Sequence, residues 1–206
     1  QLRAPVSVPP VPVEMKELHM LHQTIALQNE IPSADRMPKD DGPLPARIED
    51  YTFRSSQVIF PEQRNVHGKL FGGFVMEEAQ NLAQYTATIF ARGKPIIPLG
   101  IDEALFVQPI SIGDLVTFTA RLVHATSHTC RVLVTVEDRA PADRARVPVR
   151  ANRLMFVFGA DGFEVGRVVP DRYGEVLSHL DALRRHTVEG PTDEEVQQIL
   201  KETSEL

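Results

Sequence analysis

A single cysteine, Cys130, leaves nothing for an intramolecular disulfide and no cysteine cluster for zinc. It stands in an alternating apolar run, where a small buried core residue is expected rather than a nucleophile. Nowhere do about 18 apolar residues run together, so no transmembrane helix and no membrane role are expected. Basic excess is missing as well. The net charge of −6 excludes a general nucleic-acid binder, which needs a basic face to displace counterions. Arg139, Arg144, Arg146, Arg150 and Arg153 nevertheless crowd one stretch and leave room for a local anionic partner. Gln1 in place of Met fits a processed or trimmed chain, a removed targeting peptide being one cause. What is present is ordinary: 42% apolar and 24% charged residues in 206, enough for one cored domain with extensions or two small ones.

Four prolines among valines, at positions 5, 9, 10 and 12, make residues 1–13 an extended arm that cannot sustain a helix. Met15, Leu18, Leu21 and Ile25 predict a short helix from about Glu14 to Asn29. Residues 31–47 return to Pro, Asp and Gly and read as a linker. The pattern then changes. Phe53–Phe60 predicts a strand, and a Gly-containing turn follows at 65–73. A long helix from about Gly73 to Ala91 is marked by Val75, Met76, Ala79, Leu82, Ala83, Thr86 and Phe90. Four strands are predicted near Ile96–Val107, Asp114–Ala125, Thr129–Arg139 and Val147–Phe158, with a loop at Ala140–Arg146. A helix from Tyr173 to about His186 closes the domain. Thr192 and Glu195 form a capping box for an acidic terminal helix.

This order, with Asn65-x-x-Gly68-x-x-Phe71-Gly72-Gly73-x-x-Met76, resembles the hotdog-fold acyl-CoA thioesterases. Phe106, Pro109, Gly113 and Asp114 match a second family segment. The similarity is greatest to the second hotdog domain of the mitochondrial two-hotdog enzymes, where it includes Pro61–Asn65, Tyr173-Gly174-Glu175 and Leu180-Asp181. It covers about residues 47–186. The resemblance implies an α+β fold with one antiparallel sheet wrapped around a long central helix. The expected organisation is an arm, helix and linker over 1–50, the hotdog domain over 51–188, and a helical tail over 189–206.

The implied chemistry is hydrolysis of an acyl-CoA to free acid and CoA. Such a reaction needs donors for the oxyanion and an activated water or carboxylate nucleophile. Gly72 and Gly73 stand where a loop enters the long helix, so their amides are among its unpaired N-terminal donors, at the positive end of its dipole. By itself such a glycine pair also serves simply to turn a strand into a helix. Asn65 matches the family position that orients water or the substrate carbonyl, and equally suits a local backbone cap. His67 either polarises a group or lines the turn. In many members an acid lies seven residues beyond the second glycine; here that position is Gln80, which is neither base nor nucleophile. Asp102 and Glu103 match acidic positions of the family's second strand. Lys69, Arg150 and Arg153 are the basic residues expected near the CoA phosphates. No metal is expected, and no cofactor beyond the CoA of the substrate.

Two functions follow. In one the chain supplies the Asn-bearing half of a mitochondrial acyl-CoA thioesterase, with the acid coming from a paired hotdog domain in a homo- or heterodimer. In the other it is a catalytically inactive hotdog, a structural subunit of a large mitochondrial assembly such as the mitochondrial ribosome. The missing acid, the proline-rich arm and the acidic tail motivate the second.

Overall fold

The computed structural model describes residues 46–140, 149–160, 163–189, 195, 196, 198 and 199. The arm, the predicted helix over 14–29, most of the linker, residues 141–146 of the predicted loop and Thr192 of the tail's capping box lie outside these residues. The elements are β1 (Ala46–Arg47), β2 (Thr52–Val58), α1 (Gly72–Phe90), β3 (Ile96–Phe106), β4 (Leu115–Ala125), β5 (Thr129–Arg139), β6 (Val149–Ala160), β7 (Val168–Val169) and α2 (Tyr173–Glu189).

Five strands form one antiparallel sheet in the order β2-β4-β5-β6-β3. The helix α1 lies against one face. Its buried positions are Val75, Ala79, Ala83, Thr86, Ala87 and Phe90. Alanines at 79, 83 and 87 recur every four residues and add little bulk, so the helix axis can approach the sheet closely. Against it pack alternate residues of the strands, among them Val116, Phe118, Ala120, Val132, Val134, Val136, Leu154, Phe156 and Phe158. Cys130 belongs to this core, and burial pushes its thiol up to about 12, away from reactive thiolate chemistry. This is the α+β architecture that the element order implied.

The opposite sheet face is covered by α2. Val123, Leu133 and Met155 meet Ala182 there. A register shift between Leu122 and His124 leaves Val123 unpaired, which turns both Val123 and His124 toward α2. Charged side chains flank this small apolar cluster, as described below.

The N-terminal boundary differs from the expected position. Ala46–Arg47 pair in parallel with Val168–Val169, and Ile48 is wholly buried in the main core. Residues 46–50 therefore pack with the domain and not with the linker. A two-residue strand followed by one short helical turn is too brief to show a hydrophobic period.

Candidate active site

The turn before α1 is built by Asn65. Its side-chain carbonyl accepts from the amides of His67 (2.9 Å) and Lys69 (3.1 Å), and its own amide donates to the Lys69 carbonyl (2.6 Å). Gly68, whose amide donates to the Asn65 carbonyl (3.0 Å), has a φ of +70° that favours glycine. The two segments matched to the family meet here. Leu70 N–H donates to the Ile110 carbonyl (3.0 Å), and Lys69 Nζ donates to Ser111 Oγ (3.0 Å). Asp114 fixes the second segment by accepting from the Ser111 amide (3.1 Å), next to Gly113 at φ +89°.

Between the segments lies a cavity of about 380 Å³. Asn65, His67 and Lys69 line it on one side, Phe106 to Ile110 on another, with Leu70, Val75 and Asn152 completing the wall. None of these is a carboxylate. Gly72 and Gly73 are not in the lining. They open α1 beside it, Gly72 near the Phe106 ring that does line it. Among the described residues their amides find no acceptor, as expected for the first turn of a helix. A Cβ on Gly73 would collide with the Phe71 ring.

The structure thus brings Asn65, His67 and Lys69 together, with Gly72 and Gly73 adjacent. Gln80 lies almost two turns along α1, on an exposed stripe with Glu77, Asn81 and Tyr85. Arg153 is elsewhere. Strand alternation puts it on the sheet face opposite Asn152, where it pairs with Glu103 (3.2 Å) and Asp181 (2.7 Å) beneath α2. The Arg153 assignment to the CoA phosphates is therefore corrected: its guanidinium is held by two carboxylates, away from the cavity. The Arg150 side chain lies outside the described residues. Asp102 and Glu103 are ion-paired as well, with Arg131 (2.8 Å) and Arg185 (2.7 Å).

Residues 67–144 match the thioesterase superfamily model. The mitochondrial acyl-coenzyme A thioesterase 9 of Bos taurus is 30% identical over 144 residues, covering 68% of this chain and 32% of that protein. Its Homo sapiens counterpart is 28% identical over 145 residues, 70% of this chain and 32% of that one. The acyl-CoA hydrolase of Bacillus cereus superposes with a TM-score of 0.66 at 22% identity, over 78% of this chain and 94% of that chain. The acyl-CoA hydrolase of Staphylococcus aureus, solved with butyryl coenzyme A, coenzyme A and coenzyme A disulfide, gives 0.65 at 21%, over 77% and 98%. This is a hotdog-fold thioesterase domain.

The chain spans about a third of the length of the curated relatives it matches. One residue of the hotdog cavity escaped the sequence reading. Asn152 is 2% exposed, and its Oδ1 has no hydrogen-bond partner. The signal was present: in β6 it shares a face with Leu154, Phe156 and Phe158, where every other position is apolar.

Proposed function

We propose that this hotdog domain is the Asn-bearing half of an acyl-CoA thioesterase that releases free acid and CoA, with the acid supplied by a second hotdog domain. The observation that carries the reading is the meeting of the Asn65–Gly73 turn and the Phe106–Asp114 segment around one cavity at the start of α1. The free amides of Gly72 and Gly73 sit at the positive end of the helix dipole and suit the oxyanion of a thioester adduct. The Asn65 carbonyl is committed to its own turn, so its Nδ2 is the end left to donate toward substrate or water. Lys69, held by Ser111, adds positive charge for the CoA moiety.

The lining supports the involvement of a second domain. A water at neutral pH requires a base, and neither the cavity nor exposed Gln80 offers a carboxylate. β3 is an edge strand of the sheet, and its exposed apolar side chains Ile101, Leu105 and Phe106 continue into Val107. Phe106 and Val107 also line the cavity, so a domain arriving at this edge reaches the site directly. A mitochondrial setting belongs to the same proposal, supported by the names of the relatives. Thiol release from acyl-CoAs, by the chain alone and with an acid-bearing hotdog partner, tests it. The missing carboxylate also favours the reading as an inactive structural subunit of a large assembly; failure of every pairing to hydrolyse would select that one.

A further inference from the structure

We infer that Asn152 is the group that receives the attacking water, accepting a hydrogen bond from it at Oδ1. This rests on the hydrolase reading above. Buried polar atoms are almost always hydrogen-bonded, and one left alone inside an apolar face opposes folding. Asn152 is such a case: it lies opposite Val136 on β5 and Phe106 on β3, and neither offers a side-chain partner. Nothing in the packing of Leu154, Phe156 and Phe158 calls for an amide on that face.

The cavity explains what the core does not. An attacking water must donate to an acceptor so that its lone pair points at the acyl carbon. Asn65 cannot serve, because its Oδ1 already accepts two backbone amides. Lys69 is a donor only. His67 and Gln108, the other lining side chains with an acceptor, are exposed. Asn152 is a buried residue of the lining, and its Oδ1 is an acceptor without a partner. A neutral amide orients water without deprotonating it, which divides the work with the paired domain's carboxylate. The water oxygen bonds to the acyl carbon and one of its protons passes to that carboxylate. The adduct then collapses, the C–S bond breaks, and the same proton reaches the departing CoA sulfur. The other proton leaves with the carboxylic acid.

The test is Asn152→Leu, with Asn152→Val as a smaller apolar variant, in the full chain. Melting temperature is measured with and without S-butyl-CoA, a thioether that cannot be hydrolysed, and kcat and KM in whichever pairing is active. Removing a lone buried polar atom is expected to raise the Tm by a few degrees. The S-butyl-CoA shift should persist, while kcat falls at least tenfold at unchanged KM. A lower Tm in both variants, or a kcat within twofold of wild type, overturns the role of Asn152 and leaves the hydrolase reading standing. A wild-type chain with neither a thioether shift nor turnover in any pairing overturns both.

Discussion

Asn65 does two things with one side chain, and the two ends of its amide separate them. Its carbonyl accepts the His67 and Lys69 amides that close the turn. Its Nδ2 is the donor proposed for the reaction. Asn65→Ala removes both and is expected to cost about 1–2 kcal/mol of stability together with turnover. Asn65→Asp keeps an acceptor for the turn but no donor, so chemical denaturation should give near wild-type stability while hydrolysis is lost. Equal loss of stability in the two variants would mean that the turn needs more than an acceptor. Why the roles of residues were only half legible is clear from neighbours. Asn65, Gly72 and Gly73 are adjacent in sequence, and a motif can carry them. Asn152 and Arg153 are adjacent too, yet alternation sends one to the cavity and the other beneath α2. The basic residue is ion-paired beneath α2, and the amide on the apolar face lines the cavity.

At the scale of elements, α2 is fastened to the sheet by charge as much as by its small apolar contact. Arg185 pairs with Glu103, and Asp181 with Arg153. His179 Nδ1 lies 2.7 Å from the Val123 carbonyl, and the His124 ring stands 5.2 Å and 5.6 Å from those of His179 and His186. Burial lowers the His124 pKa to about 3, aided by His179, Arg131 and His186. Burial lowers that of His179 too, against the opposing effect of its Val123 contact. The unfolded chain protonates these rings near 6.5, whereas the folded one resists. Stability is therefore full above that pH and falls as pH drops below it toward about 3, approaching about 1.4 kcal/mol per pH unit for one ring. Tm measured from pH 7 to pH 5 should decline, and His124→Leu should flatten the slope. An unchanged slope would remove His124 as its source.

The same face holds Arg131, wholly buried, with Nε on Asp102 and its two terminal nitrogens unpartnered. Asp102→Ala strands that charge and is expected to cost about 3–5 kcal/mol. The double change Asp102→Leu with Arg131→Met removes the charge itself and should come out far milder in urea unfolding. These pairings join residues 28 to 82 positions apart, so no local pattern announced them. The elements themselves were legible because their periods are long. Strands β2 to β6 and both helices fall close to their expected bounds, whereas β1 and β7, two residues each, had no period to read.

For the whole molecule, the edge strand β3 and the cavity beside it belong to one surface. Ile101 and Leu105 are exposed, so Ile101→Lys with Leu105→Lys should leave the Tm of the isolated domain nearly unchanged. The same charges on an open edge should block pairing, seen as monomer in sedimentation, and should abolish turnover with it. Retained pairing would place the partner elsewhere. The decisive measurement is thiol release from a panel of acyl-CoAs, by this chain alone and mixed with a hotdog domain whose central helix carries an acid. The expected result is little or no turnover alone and clear turnover in the mixture, abolished by Asn65→Asp in this chain. Absence of turnover in every pairing, or turnover indifferent to Asn65, would contradict it.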